Sequence, residues 1–391
     1  MARLPVPGAD GSNWGEILND FLLTSHNVDG TLRADSVAPS IVAASDSPEQ
    51  FKKVAQFICD GDNDQDMINV AIAMLGDSGG RVQLTPGTFH CHDAIRLPRR
   101  TALIGHGRST ILRAEGSWQA YDGSGRGGVI EAADEGTDKT YVADLVIDGN
   151  RYQGADVHGI YYNITTRSDF DEGPDAAHVF SNIYIYETRQ HGIFFQGTNM
   201  RASFLTNIRI YNVGDEGETV AHGFCLQTND SFYSQCESGT ASGSGFFVEG
   251  TNNRFTNCKA WFSDLSGWQV LNQRNQFAAC ESQDNKEHGY YITTGPNSFS
   301  ACHADSNSWD RDNNRSNFDG FHIPWGSRIQ LMGCSAYDKN EEGRGYWQRY
   351  GFYIGRDAEH CQIMGTVKNN VSGSISGEGL DSGLNWVQVN G

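Results

Sequence analysis

Four residue columns recurring at one interval limit what this chain can fold into. Cys236, Cys258, Cys280 and Cys302 are each 22 residues apart, and Cys334 follows after 32. Asn253, Asn275 and Asn297 keep the 22-residue step, as do Phe255, Phe277 and Phe299. The fourth column is a glycine followed by apolar residues: HGIYY at 158, HGIFF at 191, HGFCL at 222, SGFFV at 244, SGWQV at 266, HGYYI at 288, DGFHI at 319 and YGFYI at 350. The glycines step by 33, 31, 22, 22, 22, 31 and 31 residues, so the unit is 22 residues and some units carry an insertion of roughly ten. Each unit holds short alternating runs of Phe, Tyr, Ile and Val between Gly, Asn, Ser and Asp, which reads as strand and turn. Twenty-two residues are too few for a helical repeat and fit one rung of a parallel β-helix, an all-β solenoid.

In such a coil, equivalent positions stack about 4.8 Å apart on neighbouring rungs. If the cysteine faces inward, alternation sends the second residue after it inward as well. That column reads Ile185, Ile210, Ser238, Ala260, Ser282, Ala304 and Ala336, all small or aliphatic. The first residue after the cysteine must then face out: Tyr184, Arg209, Glu237, Lys259, Glu281, His303 and Ser335. Arg209, Glu237, Lys259 and Glu281 alternate in sign, as exposed stacked neighbours should.

Composition narrows the partners. Basic residues number 29 and acidic residues 48, a formal charge of −19. Nucleic acid or an anionic membrane needs a basic patch for phosphates, so neither is an expected partner. The amino terminus has no charged region followed by a long apolar run, so no secretory signal is expected, and no stretch reaches transmembrane length. The 9 cysteines include no CxxC pair, which points to reduced thiols rather than a zinc or redox site. DGDNDQD at 60–66 lacks the spaced glycine and closing glutamate of a calcium loop, so helix capping is its expected part. No cofactor or metal is expected.

Residues 59–112, CDGDNDQDMINVAIAMLGDSGGRVQLTPGTFHCHDAIRLPRRTALIGHGRSTIL, carry an Asp-Gly turn, an Ile-Asn-x-Ala-Ile helix, Gly-Gly-x-Val-x-Leu-x-Pro-Gly-x-Phe, a strand with Leu-Pro and a Gly-x-Gly turn. With DLVIDGNR at 144–151 and the coils, this resembles the pectate-lyase-like right-handed parallel β-helix superfamily over about residues 50–365. The helix expected from about Gln65 to Leu75 puts Met67, Val70, Ala71 and Met74 near one face, suited to plugging the end of a coil. The first 35 residues resemble the amino-terminal segment of phage or prophage tail proteins. There Trp14, Ile17, Leu18, Phe21 and Leu22 fall at helical spacing behind Ser12 or Asn13 as a cap. The expected organisation is a helical attachment segment and linker over 1–45 and a right-handed parallel β-helix with a capping helix over 46–391. The resemblance to tailspikes implies a virion-tail homotrimer that binds, and often cleaves, a surface polysaccharide.

Glycoside cleavage needs two carboxylates, about 5–5.5 Å apart in retaining and about 6.5–9.5 Å in inverting enzymes. Glu281 and Asp305 lie on adjacent rungs two positions apart, placing their backbones about 8 Å from each other. Glu237 lies two rungs from Glu281 across Lys259, and Asp284 joins the group if the strand turns there. The third outward column adds Tyr211, Trp261 and Asp305, so aromatics stand beside acids; Trp261, Tyr211, Lys259, His303 and Trp309 are the candidate sugar contacts. The competing reading is a solvated solenoid face. Insertions TTRSDFDEGPDAAH, VGDEGETVAH, NSWDRDNNRSNF and DKNEEGRGYWQRY are expected between the cysteine-column and glycine-column strands. They hold Asp169, Asp171, Asp215, Glu216, Glu218, Asp310 and Asp312, with Tyr346 and Trp347, and would form a rim, or else surface loops and subunit contacts. The histidines at 158, 191, 222 and 288 read as turn residues, because Ser, Asp and Tyr replace them in other rungs. A polysaccharide lyase would need a base and a cation, and the central coils offer only Lys259 and Arg254. A non-catalytic receptor-binding spike or structural tail component is the remaining alternative.

Overall fold

The computed structural model describes residues 13–23, 40–116, 118, 127–153, 155–166, 178–215, 220–309, 317–339 and 347–391. Asp169, Asp171, Glu216, Glu218, Asp310, Asp312, Tyr346 and the proposed cap Ser12 lie outside them. The architecture is a right-handed parallel β-helix. Its described strands form a 20-stranded and an 11-stranded sheet, with every strand pair parallel. One coil runs through three faces: Arg254–Thr256 on the first, Lys259–Trp261 on the second and Trp268–Val270 on the third. The next coil pairs with it in register, Arg254 opposite Gln276, Lys259 opposite Glu281 and Trp268 opposite Tyr290. The first two faces belong to the larger sheet and the third to the smaller.

Single left-handed residues make the corners. Asn257, Ala279 and Ala301 take φ of 53°, 51° and 51° before the cysteines, and Phe262, Asp284 and Ser306 take 51°, 52° and 54° after the second face. One αL residue reverses the local bend without a loop, at a steric cost of about 1–2 kcal/mol for a residue with a Cβ.

The interior is made of like stacked on like. Tyr233, Phe255, Phe277 and Phe299 stack with ring centroids 4.5, 4.9 and 4.3 Å apart. Phe224, Phe246, Trp268, Tyr290, Phe321 and Phe352 form a second ladder from the third face, and its rings meet the first edge-on, as in Trp268 against Phe277 at 5.6 Å. Cys236, Cys258, Cys280, Cys302 and Cys334 are buried free thiols, so the inward cysteine column stands as expected. Their Sγ atoms donate to the carbonyl two residues back, as Cys258 does to Thr256 at 3.4 Å and Cys280 to Ala278 at 3.6 Å. Burial pushes the Cys258 and Cys280 thiols well above their ordinary range, so they stay protonated.

The glycine column exists because two faces nearly touch. A Cβ on Gly267 would lie 2.0 Å from Ser282 Oγ, and one on Gly289 would lie 2.5 Å from the Gly320 carbonyl and 3.0 Å from the Ala304 Cβ. The small residues two after each cysteine and the glycines of the third face are therefore one feature, a thin edge where backbones pack closely.

Two expectations need correcting. The capping helix spans Asp64–Ala73 and buries Ile68, Ala71 and Ile72, whereas Val70 and Met74 are 50% and 58% exposed. Of the predicted face, Ala71 is buried and Met67 packs against the core, but Val70 and Met74 turn outward, because the Asp64 and Gln65 side chains pin the first turn to the backbone at His90 and His92. Asp64 Oδ2 accepts from the His90 amide at 2.8 Å, and Gln65 Oε1 from the His92 amide at 3.0 Å. The insertion at 165–178 follows a third-face strand, His158–Asn163, and leads into Val179–Tyr186 on the first two faces, so it lies at a different corner from the other three. The amino-terminal helix spans Trp14–Leu22, with Trp14, Leu22 and Leu23 exposed at its surface.

The asparagine column holds the corner between the third and first faces. Asn275 Oδ1 accepts from the Asn253 amide at 2.9 Å and Nδ2 at 3.2 Å, while its Nδ2 donates to Gly250 and Asn272 carbonyls at 3.0 and 3.1 Å. Asn275→Ala strands several of these buried groups and should lower stability by about 3 kcal/mol. Cys280→Ala removes a small buried volume and a weak S–H bond and should cost about 1 kcal/mol. Urea unfolding of both variants checks this, and equal losses would contradict it.

Candidate active site

On the second face the predicted columns lie outside the core, with Lys259 opposite Glu281, Glu281 opposite His303, and Gln283 opposite Asp305, but Asp305 is not solvent-facing as expected: Lys339 and Ser306 cover it and leave it 4% exposed. Asp284 occupies the left-handed corner, so the strand does turn there and brings it in. A continuous string of polar contacts results. Lys259 Nζ meets Glu281 Oε1 at 3.3 Å and Gln283 Oε1 at 2.6 Å, and Gln283 Nε2 donates to Asp284 Oδ2 at 2.7 Å. Lys339 Nζ then lies 4.0 Å from Asp284 Oδ2 and 3.3 Å from Asp305 Oδ2. Ser306 Oγ donates to Asp305 Oδ1 at 2.7 Å and accepts from the Lys339 amide at 3.0 Å. One ammonium thus bridges two carboxylates on adjacent rungs.

Asp338 closes this group. Its Oδ2 accepts from the Trp347 and Gln348 amides at 2.5 and 2.7 Å, tying together both stems of the insertion that starts after Lys339. Burial raises its carboxyl above the usual range despite those two donors, and the Asp305 charge adds to the rise. An aromatic arc borders the acids: Trp261 to Phe262 at 5.2 Å, Phe262 to Trp309 at 5.3 Å and Trp309 to Trp347 at 6.0 Å. Sequence reasoning found Trp261, Trp309, Asp284 and Asp305 and missed Phe262, Asp338 and Lys339. Phe262 shares the corner column of Asp284, 22 residues earlier, and that register was the available signal.

Other sequence candidates are placed differently. Glu237 is enclosed: Trp261 Nε1 donates to its Oε1 at 2.9 Å and Arg209 Nε lies 3.7 Å away. Burial, with a hydrogen bond to Glu237, raises the Tyr211 phenol, so Tyr211 points at the same carboxylate. The indole folds back because Gly239 leaves room; a Cβ there would lie 2.9 Å from both Trp261 and Tyr211 ring atoms. The structure gives Glu237, Tyr211 and the inner edge of Trp261 a scaffold part. His303 stands exposed with Nδ1 2.5 Å from Ser335 Oγ, one rung beyond Glu281. Asp215 is ion-paired with Arg189 at 2.9 Å, away from the acid string in sequence and rung.

A second constellation lies on the third face and was not anticipated. Asp319, with no exposed side-chain surface, receives Arg349 in bidentate fashion at 2.8 and 2.7 Å, the His322 ring at 2.7 Å and the Tyr350 amide at 3.2 Å. Burial opposes its ionisation, but these partners together hold its carboxyl below the usual range. With both oxygens so occupied, the His288, Asp319 and His322 trio offers a metal ion little free carboxylate capacity, although the three come close enough to be considered one. The two imidazoles use Nδ1 in opposite ways. His322 Nδ1 donates to the Asp319 carboxylate. His288 Nδ1 accepts the Asp319 amide at 3.0 Å, which leaves Nε2–H as a donor, and the rings stack at 4.0 Å. His191 and His222 accept rung amides through Nδ1 in the same way, at 2.8 and 2.9 Å, as turn residues should. Tyr291, His322 and Tyr353 stack as an outward ladder with centroids 5.7 and 4.6 Å apart, and Trp325 meets Tyr291 edge-on at 6.4 Å.

No family model and no curated protein matches the chain. Solved structures do match in fold. The enzymatically active domain of bacteriophage CBA120 tailspike protein 2 superposes with a TM-score of 0.61 at 15% identity, covering 79% of this chain and 49% of that one, so this chain spans about half its length. The catalytic domain of a GH87 alpha-1,3-glucanase in complex with tetrasaccharides gives 0.53 at 14% identity over 92% of this chain and 69% of that one. The A-module of the Azotobacter vinelandii mannuronan C-5 epimerase AlgE4 gives 0.52 at 14% identity over 81% and 95%. The chain therefore has the right-handed parallel β-helix fold and resembles a phage tailspike domain in it.

Burial, with the neighbouring His322 ring, lowers His288 from its ordinary 6.5 to about 3. The folded state thus holds a neutral imidazole that the unfolded chain protonates. The stability this contributes is complete above about pH 6.5 and is lost as pH falls toward 3. At pH 5 the nitrogen-15 shifts of His288 should still report a neutral ring with Nε2 protonated; an imidazolium signature there would contradict the assignment.

Proposed function

We propose that this chain is a tailspike-like, polysaccharide-active β-helix that cleaves glycosidic bonds at the carboxylates of the second face. The observation that carries this reading is the pair Asp284 and Asp305, bridged by Lys339 and bordered by the arc Trp261, Phe262, Trp309 and Trp347. The fold neighbours named for a tailspike enzymatic domain and a glucanase support the substrate class. In this mechanism the aromatic arc stacks a sugar ring, since an apolar ring face removes water while its edge leaves hydroxyls free to hydrogen-bond. Asp305 and Asp284, both ion-paired to Lys339, activate the attacking water. Asp338, whose raised carboxyl holds a proton more readily, donates to the leaving oxygen. Glu281 acts as a positioning residue through Lys259 and Gln283.

A second reading, a polysaccharide lyase, draws on the third-face group. His322, oriented by Asp319, would act as the base, and Arg349 on the same carboxylate supplies a cation. A non-catalytic spike lacks either dependence.

Oligosaccharide release from a panel of bacterial surface polysaccharides decides among the three. Asp305→Asn and Asp338→Asn should each reduce release about 100-fold or more, in line with the usual contribution of general acid–base catalysis. Glu281→Gln should reduce it less. Retained activity in both aspartate variants sinks the hydrolase assignment, and an ultraviolet-absorbing unsaturated uronate product that disappears in His322→Ala favours the lyase.

We also propose a homotrimer, the form expected of a spike, in which the exposed Trp14, Leu22 and Leu23 of the amino-terminal helix pack on another subunit. A helix of 9 residues is marginal alone, so its apolar stripe calls for a partner surface. Light scattering should give three times the 42.9 kDa chain mass, and Trp14→Ser with Leu22→Ser should lower it; a wild-type monomer would count against the spike.

A further inference from the structure

The corner between the third and first faces carries a feature that neither constellation uses. Its left-handed column contains Arg274, at φ 62°, and Arg328, at φ 58°, on either side of the rung that bears Pro296. Two residues further along, Gln276 lies opposite Ser298, which lies opposite Gln330. The middle rung thus presents Pro296 and Ser298 where both flanking rungs present an arginine and a glutamine. The result is a notch of about 400 Å³, lined by amides, a hydroxyl and two guanidinium groups, with no carboxylate among its lining residues.

That lining is unusual for a chain of charge −19. Several other arginines sit on acids: Arg113 on Glu115 at 3.3 Å, Arg151 on Glu187 at 2.6 Å, Arg189 on Asp215 at 2.9 Å and Arg349 on Asp319 at 2.7 Å, while Arg254 reaches Gln276 at the notch edge at 3.4 Å. Neither Arg274 nor Arg328 makes an ion pair among the described residues. A guanidinium presents planar donors that match a carboxylate, and Gln276, Gln330 and Ser298 add hydrogen bonds for hydroxyls around it. The charge of the whole protein selects further. A dense polyanion would meet repulsion from the surrounding acids, whereas a ligand with isolated negative groups can place one in the notch and keep the next far from the surface.

We propose that this notch binds the carboxylate of a uronic-acid residue in a polysaccharide whose charges are widely spaced. The ligand's carbohydrate nature rests on the function proposed above, and the site adds its charge and place. Third-face strands run into the notch: Tyr290–Ile292 is followed by Pro296, and Phe321–Ser327 by Arg328. A chain anchored there can extend past the half-exposed Trp325 toward Tyr291 and His322.

The test is affinity electrophoresis of the full chain in gels cast with hyaluronan, with carboxyl-reduced hyaluronan and with heparin. Retardation is expected in the first and lost on carboxyl reduction. Arg274→Asn with Arg328→Asn, chosen because asparagine tolerates the left-handed backbone, should weaken it at least tenfold with circular dichroism unchanged. Single Arg328→Asn should give an intermediate loss. Absence of retardation by hyaluronan, equal retardation after carboxyl reduction, an unaffected double variant or stronger binding to heparin each overturn the proposal. So does a change of oligomeric mass in the double variant, which would make the notch a contact between copies of this chain. Retardation is read separately from oligosaccharide release, so failure of the hydrolase reading and failure of this site give different results.

Discussion

In-register parallel pairing of successive coils, as through the central rungs, is the constraint on which the rest depends. Once Lys259 is set opposite Glu281 and Phe255 opposite Phe277, each side chain has its own column-mates as permanent neighbours. A column must then be compatible with itself. Aromatic rings satisfy this by offset stacking, asparagines by passing an amide hydrogen bond from rung to rung, and exposed charges by alternating in sign. Cysteine satisfies it by being small, apolar and content with a backbone carbonyl two residues away.

The same pairing limits where chemistry can be placed. The interior is filled by the ladders, and the thin edge between the second and third faces has no room for even a Cβ beside Gly267. Reactive groups are left to the outward columns and to the insertions that leave the edge. Both constellations follow this pattern. Asp284 is a corner residue and Asp305 a second-face residue outside the core that Lys339 covers, while Lys339, Asp338 and Trp347 come from insertion stems. His288 and His322 belong to the third-face register, while Arg349 enters from a stem.

This also accounts for what was legible in the sequence. Periodic features could be read, because a column announces itself by spacing: the buried thiols, the small residues two positions on, the alternating charges and the turn histidines. Asp284 was conditionally included and the left-handed corner supplied the condition. Groups assembled from aperiodic segments could not be read. Lys339 joins Asp284 and Asp305 across 55 and 34 residues, and Arg349 reaches Asp319 across 30, with no repeat to signal either. Half of the capping-helix face, Val70 and Met74, was misread because spacing gives a stripe but not its exact rotation, and here polar contacts from Asp64 and Gln65 fix the rotation. Glu237 looked as available as Glu281, since the glycine that lets Trp261 fold onto it sits in a column whose other members are mostly large.

The two constellations are mechanically connected. Asp338 on the second face holds the amides of Trp347 and Gln348, and the next residue, Arg349, clamps Asp319, which in turn orients His322 on the third face. Gln348 is itself wedged between faces, accepting from Asn307 Nδ2 at 3.1 Å and donating to Asn370 at 2.7 Å. Loss of the Asp338 carboxylate would therefore loosen the stem that positions Arg349, so a defect at Asp338 cannot by itself assign chemistry to the second face. Asp284 touches Lys339 without joining that chain of contacts, Asp305 meets it at Asp338 through Ser306, and His322 stands at its far end. Effects confined to Asp284 and Asp305, or confined to His322, are what separate a reaction on one face from a reaction on the other.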